Sequence, residues 1–287
     1  MIKVKALDHI CLGADDIDTV SGFYTDRFGL GLFEEVNGRR YLRTRQCGHH
    51  ALILDPGEPT GLHHLAFEVH ERADLDRAVE TAVAGGRTVE REPGDAVEPG
   101  HAASAALRDP DGNIVELLWA PEAVKDPYEA PLVAPKKLGH VVLNSPQLEA
   151  MEGFYGELGF RVSDRTARGM TFLRCNRDHH SLAFMRSGRT GLQHMAYDVE
   201  VLDNVMRGLA WFTRHEIPCL WGPGRHGPGN NIFTYYADPA GTIVEYYAEL
   251  EEVDDPDDGA LEERFWGPEW GGDLWGLAGP PPESFRS

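Results

Sequence analysis

The chain is short of cysteine, of positive charge and of long apolar runs, and each shortage removes a class of protein. Its four cysteines, Cys11, Cys47, Cys175 and Cys219, are widely separated and form no CxxC pair. Neither a disulfide framework nor a structural zinc site is signalled, and a reducing cytoplasm is the expected compartment. No run of about 18 apolar residues occurs, and the opening Met1-Ile2-Lys3-Val4-Lys5 lacks the apolar core of a signal peptide. A soluble, unexported protein with no membrane contact is expected. Lys and Arg number 27 against 47 Asp and Glu, a formal net charge of −20, and no basic block interrupts the acidic background. Nucleic acid and anionic membranes are therefore poor partners, while neutral substrates or cations are favoured. What remains is an ordinary globular composition, 41% hydrophobic with 32 Gly and 19 Pro, over 287 residues, enough for two domains rich in strands and turns.

The chain repeats itself. Leu7-Asp8-His9-Ile10-Cys11-Leu12 answers Leu138-Gly139-His140-Val141-Val142-Leu143, and Phe23-Tyr24 answers Phe154-Tyr155, both at an offset of 131. His49-His50 answers His179-His180, and His63-His64 answers Gln193-His194, at 130. Asp109-Pro110-Asp111-Gly112-Asn113-Ile114-Val115-Glu116 answers Asp238-Pro239-Ala240-Gly241-Thr242-Ile243-Val244-Glu245 at 129, so single-residue insertions or deletions account for the drift. Helical periodicity over Ile17–Phe28 before Gly29, Leu75–Ala84 before Gly85-Gly86, Gln147–Leu158 before Gly159, and Leu202–His215 before Pro218 places one helix in each of four modules. The expected fold is α+β, built of paired βαβββ modules, two per domain. The halves are an N-terminal domain (1–120) and a C-terminal domain (137–250), joined by a proline-bearing linker (121–136) with Pro121, Pro127, Pro131 and Pro135 and followed by an acidic, then Trp-rich tail (251–287).

Three residues of the second half form a metal-ligand set on their own chemistry. His140 lies on a first strand, His194 on the equivalent strand of the next module and Glu245 on that module's last strand, at the same phase of alternation, so all three point inward. Two imidazoles and a carboxylate hold one face of a non-haem Fe(II), with Mn(II) equally acceptable, and leave positions open. A second constellation follows. Gly222-Pro223-Gly224-Arg225-His226-Gly227-Pro228-Gly229-Asn230-Asn231 sets a histidine in a Gly/Pro-rich loop, then Ile232-Phe233-Thr234-Tyr235-Tyr236 leads toward Glu245.

The four modules and these landmarks resemble the vicinal oxygen chelate superfamily over roughly residues 6–250, and the two-half arrangement resembles the type I extradiol ring-cleavage dioxygenases of the catechol 2,3- and 2,3-dihydroxybiphenyl type. The resemblance implies barrel-like metal-binding cups, catalysis in the second half, and cleavage of a catecholic ring with O2 at Fe(II), as in aromatic hydrocarbon catabolism. Carried onto this chain, it makes His180 the acid–base residue that takes and returns the catechol proton, with His179 as the alternative. Tyr235, ten residues before Glu245, becomes a donor to the substrate oxygen, and His226, nineteen before Glu245, a donor or substrate-binding group. It also implies a homo-oligomer. Two other classes share the fold: metal-dependent isomerases, epimerases and transferases of the glyoxalase kind, against which His226 with Tyr235 argues, and non-catalytic small-molecule binders, against which the complete His140, His194 and Glu245 set argues.

The first half keeps His9, His64 and Glu116, and His50 answers His180, but Ala106 stands ten residues before Glu116 where the second half has Tyr235, and His101 is out of register. The first half is accordingly expected to be non-catalytic, its polar set a packing relic whose members hydrogen-bond one another. The tail carries three of the six tryptophans, Trp266, Trp270 and Trp275, and is expected to pack on the second half, edging its pocket or a subunit contact.

Overall fold

A computed structural model describes residues 2–46, 48–57, 59–122, 124, 128–254 and 262–285. Cys47, Pro127 and the acidic stretch Asp255–Asp258 lie outside the described residues. The first half runs β1 (Val4–Ala14), α1 (Ile17–Phe23), β2 (Gly31–Val36), β3 (Arg39–Arg43), β4 (Leu52–Pro56), β5 (Gly61–Val69), α2 (Arg72–Ala84), β6 (Val89–Asp95), β7 (His101–Arg108) and β8 (Ile114–Pro121). The second repeats it as β9 (Lys137–Ser145), α3 (Leu148–Glu157), β10 (Arg161–Thr166), β11 (Met170–Arg174), β12 (Leu182–Arg186), β13 (Gly191–Asp198), α4 (Leu202–Arg214), β14 (Trp221–Arg225), β15 (Ile232–Ala237) and β16 (Ile243–Ala248). A tail strand, β17 (Arg264–Trp266), pairs in parallel with β10.

Each half is one sheet, and the strand order is the same in both. The first reads β2-β3-β4-β1-β5-β8-β7-β6, and the second reads β10-β11-β12-β9-β13-β16-β15-β14 with β17 added outside β10. The two modules of a half therefore meet along their first strands, β1 with β5 and β9 with β13, both antiparallel. Those central strands carry the histidines.

The helices follow the sequence pattern with two differences. The Asp16 side chain accepts a hydrogen bond from the Thr19 amide and starts α1, but the segment expected to be one helix to Phe28 widens into a π turn over Tyr24–Phe28. It ends at Gly29, whose φ of 90° suits glycine and whose α-carbon lies so close to the Val133 carbonyl that a side chain has no room. Helix α2 begins at Arg72 rather than Leu75 because Glu71 and Asp74 form a reciprocal capping box one turn earlier.

The halves share one core. Phe28 of the first half packs against Tyr197 and Tyr246 of the second, with ring centroids 5.2 and 4.5 Å away, and Phe67 meets Tyr155 and Phe160. Two buried bonds cross in a mirrored pair: Tyr24 donates to Asp238 at 2.8 Å, and its counterpart Tyr155 donates to Asp109 at 3.3 Å. Burial raises both carboxyls, Asp109 to about 6. Among the described residues no helix is long and apolar enough to cross a membrane.

Candidate active site

Strand register brings the second-half set together. His140 and Glu245 each stand opposite Ala196, on the strands to either side of it, and His194 is two residues before Ala196 on the same face. The small Ala196 side chain leaves the space between them open. Nε2 of His140 lies 3.1 Å and Nε2 of His194 3.3 Å from the same Glu245 oxygen, and all three side chains are buried. Two ligands about 2.1 Å from one ion and at right angles are about 3 Å apart, so this spacing suits a single octahedral metal. The neighbours support that role. Nε2 of His194 is buried without a hydrogen-bond partner, while its Nδ1 contacts Gln193 Oε1; the other Glu245 oxygen accepts from Asn231 Nδ2 at 3.1 Å. Burial alone would raise the Glu245 carboxyl, but the contacts to His140 and His194 outweigh it and hold the group well below the usual carboxylate range. Two nitrogens and a carboxylate oxygen fit Fe(II) or Mn(II).

The remaining predicted residues line a cavity of about 570 Å³ in front of this set. Tyr235 stands directly opposite Glu245 on β15 in an unbroken register, and so faces the cavity, whereas Tyr236 turns into the core against Phe212. The Tyr235 hydroxyl lies 3.0 Å from His226 Nε2, and His226 Nδ1 donates to the Gly272 carbonyl at 2.9 Å. Because Nδ1 carries the proton, Nε2 accepts from the tyrosine. Burial depresses the His226 pKa to about 4 and raises that of Tyr235 well above normal, so imidazole and phenol are both neutral near pH 7. His180 enters from the turn before β12, its ring 4.4 Å from that of His140; burial, then the neighbouring histidines, push its pKa well below the ordinary value. His179 turns away, toward Asp164. Gly229, at φ 72°, lets the Gly/Pro loop lie against both rings. Apolar side chains, among them Val142, Met170, Phe172 and Met185, share the rest of the wall with Thr166, Arg168 and Arg186, and Trp270 and Phe285 of the tail close one side.

Sequence reasoning did not single out Gln193, Asn231 or Asp164. Each acts on a site residue through space; the sequence offered Gln193 as the counterpart of His63, Asp164 as that of Glu34, both at the offset of 130, and Asn231 as a loop residue, but no role for any of them.

The first-half set also assembles. His9 and His64 approach through Nε2 at 3.0 Å, and Glu116 lies 3.6 Å from His64, but Arg91 contacts the other Glu116 oxygen and also donates to Ser104. Ala106 stands opposite Glu116, where Tyr235 stands opposite Glu245. His101 is drawn instead to Asp8, 3.2 Å away.

Fold and site together define a duplicated two-cup protein with a candidate metal set in each half and one elaborated cup. The chain belongs to the Glyoxalase/Bleomycin resistance protein/Dioxygenase superfamily, whose family model matches residues 6–117 and 137–246. It is 29% identical to metapyrocatechase 2 of Cupriavidus necator over 87% of this chain and 82% of that one. To the 3-methylcatechol 2,3-dioxygenase of Pseudomonas putida it is 32% identical, over 85% of this chain and 90% of that one. Among solved structures, the Mn(II)-bound glyoxalase from Novosphingobium aromaticivorans superposes with a TM-score of 0.91 at 31% identity, covering 100% of this chain and 95% of that one.

Proposed function

We propose that this protein is an extradiol dioxygenase that cleaves the aromatic ring of a catecholic substrate with O2 at a non-haem Fe(II) held by His140, His194 and Glu245, with Mn(II) able to take the same place. One observation carries the reading: the hydrogen-bonded His226–Tyr235 pair stands on the cavity wall beside the metal set, with the neutral His180 close by. Held by His140, His194 and Glu245, the metal would supply Lewis acidity toward the catechol oxygens and O2.

The protein's own groups do the rest. Neutral His180 accepts the proton of a catechol hydroxyl and returns it as the O–O bond breaks, a task for which imidazole is suited in both directions. Tyr235, held as a phenol, turns its one O–H from His226 Nε2 to the substrate oxygen where charge develops. The apolar walls receive the ring and its substituent and exclude water. The product is a ring-opened hydroxymuconic semialdehyde or the corresponding keto acid, cleaved beside the hydroxyls. A cytoplasmic homo-oligomer is the proposed working form.

The structural relative described as a glyoxalase favours a second reading, a metal-dependent isomerase. One assay separates them. Anaerobic reconstitution with Fe(II), followed by a panel of catechols and O2, should consume one O2 per catechol and produce a yellow ring-opened product. Absence of O2 uptake with every catechol, alongside isomerisation of a thiol–aldehyde adduct, would replace the first reading with the second.

A further inference from the structure

Behind His180 a chain of polar contacts runs to the tail. Nδ1 of His180 lies 3.0 Å from Nδ1 of His179, and Nε2 of His179, short of full hydrogen-bond geometry, has the Asp164 carboxylate as its ion-pair neighbour at 3.3 Å. His179 and Asp164 are both fully buried. Asp164 is held in turn by Arg264 Nε at 2.8 Å and by Trp266 Nε1 at 2.7 Å, both from β17. A carboxylate only accepts, so the His179 nitrogen that faces it is the N–H. In a neutral His179 the other nitrogen, Nδ1, is then the lone pair, and it must accept from Nδ1–H of His180. That leaves Nε2 of His180 unprotonated. The same three-residue arrangement stands in the first half at the fixed offset of 130, where Glu34 lies 2.9 Å from His49 Nε2 and His49 Nδ1 lies 2.9 Å from His50 Nδ1. Only the second copy is sealed by the tail. Glu34 is half-buried where Asp164 is fully enclosed, yet an acid placed merely to anchor β17 would not recur in the half that has no such strand.

We propose that Asp164 is a positioning residue for ring cleavage: through His179 it fixes the His180 tautomer whose Nε2 lone pair receives the catechol proton, and the tail residues Arg264 and Trp266 keep it there. No change of charge is involved, only the side of each ring that carries its proton. The tautomer claim stands on geometry alone, and its catalytic consequence rests on the dioxygenase reading.

Nitrogen-15 spectroscopy of histidine-labelled, metal-free enzyme at neutral pH separates the two, because lone-pair and N–H nitrogens differ in chemical shift. Wild-type His180 should show Nδ1–H and a bare Nε2; the opposite tautomer overturns the proposal whether or not any variant folds. In Asp164→Asn the His180 tautomers should become mixed, and kcat should fall about 10–100-fold with KM for the catechol and bound metal unchanged. Glu263→Gln, which loosens the tail by removing its ion pair with Arg165 at 2.7 Å but touches neither Asp164 nor its donors, should retain the wild-type tautomer and most of kcat. An unshifted His180 spectrum in Asp164→Asn, or an equal kcat loss in Glu263→Gln, would show that Asp164 only anchors the tail. If no catechol is cleaved at all, the dioxygenase reading falls while the tautomer measurement still decides the geometry.

Discussion

Glu245→Gln removes the one anion of the proposed donor set while keeping its size, and the structure sets the scale of the loss. The carboxylate oxygen is the shared vertex for His140 at 3.1 Å and His194 at 3.3 Å, so no neighbouring acid of the set replaces its charge. Altering a partner one layer further out typically weakens metal binding 10–100-fold, so loss of the ligand charge itself should cost at least about 100-fold. At a metal concentration about 1,000 times the wild-type Kd, binding stabilises the folded chain by about 4 kcal/mol, and a 100-fold weaker variant retains about 1.4 kcal/mol of that. The difference, about 2.7 kcal/mol, corresponds to roughly 5–10 °C in melting temperature for a chain of this size. Anaerobic thermal melts of both proteins with and without Fe(II) or Mn(II) read this directly, paired with a metal titration and O2 uptake. Equal metal-induced shifts in wild type and variant, with ring cleavage intact, would refute the assignment of Glu245 as a ligand.

Tyr235→Phe removes the hydroxyl bonded to His226 at 3.0 Å and should lower kcat by about 100-fold while leaving metal content unchanged, as checked by steady-state kinetics and metal analysis. His226, with a folded pKa of about 4 against about 6.5 unfolded, favours folding fully above pH 6.5 and loses that contribution as pH falls toward 4. With cavity water screening part of the effect, the metal-free protein should lose about 1–2 kcal/mol between pH 7 and 5 through this residue, and urea melts of His226→Gln should show a correspondingly flatter profile. Truncation after Glu252 removes the Gly272 carbonyl on His226, the Phe285 carbonyl on Gln193 and the donors on Asp164, so turnover and melting temperature should both fall. Unchanged values would separate the tail from the site.

The repeat made the architecture legible, because helix positions, strand phase and the histidine landmarks recur in both halves and reinforce one another. It did not reveal the π turn or the early start of α2, which depend on a local bulge and on the Glu71–Asp74 capping box. The choice of Tyr235 over Tyr236 was readable only if β15 and β16 paired without a bulge, and their register has none. The pair His179-His180 was ambiguous because adjacent residues on a turn face opposite ways, and which one turns inward is decided by Asp164, fifteen residues upstream in another strand. Gln193 and Asn231 stood in the sequence as a repeat landmark and a loop residue with no role attached. Their types are ordinary, and their function lies in which atom of His194 or Glu245 they touch.

The contrast between the halves leads to the final prediction, one metal ion per chain. Both halves hold their glutamate by one oxygen, but the second uses the neutral Asn231 and the first uses the Arg91 guanidinium. A unit positive charge about 5 Å from a divalent ion, at an effective dielectric of about 20, costs on the order of 6 kcal/mol. Asp8 offsets part of this, yet it is already shared between His9 at 2.7 Å and His101 at 3.2 Å. Arg91 also stands opposite Ala106, as Trp221 stands opposite Tyr235, so it occupies the wall position that in the second half lines the cavity. The first-half histidines meanwhile satisfy each other, His9 with His64 at 3.0 Å, and lose little without an ion. His9→Ala should therefore keep both metal and ring cleavage, and His194→Ala should lose both. Arg91→Gln should raise metal content toward two per chain without raising turnover, because Ala106 supplies no hydroxyl. Two ions per wild-type chain by elemental analysis, or cleavage that survives His194→Ala and disappears with His9→Ala, would overturn the assignment of chemistry to the second half.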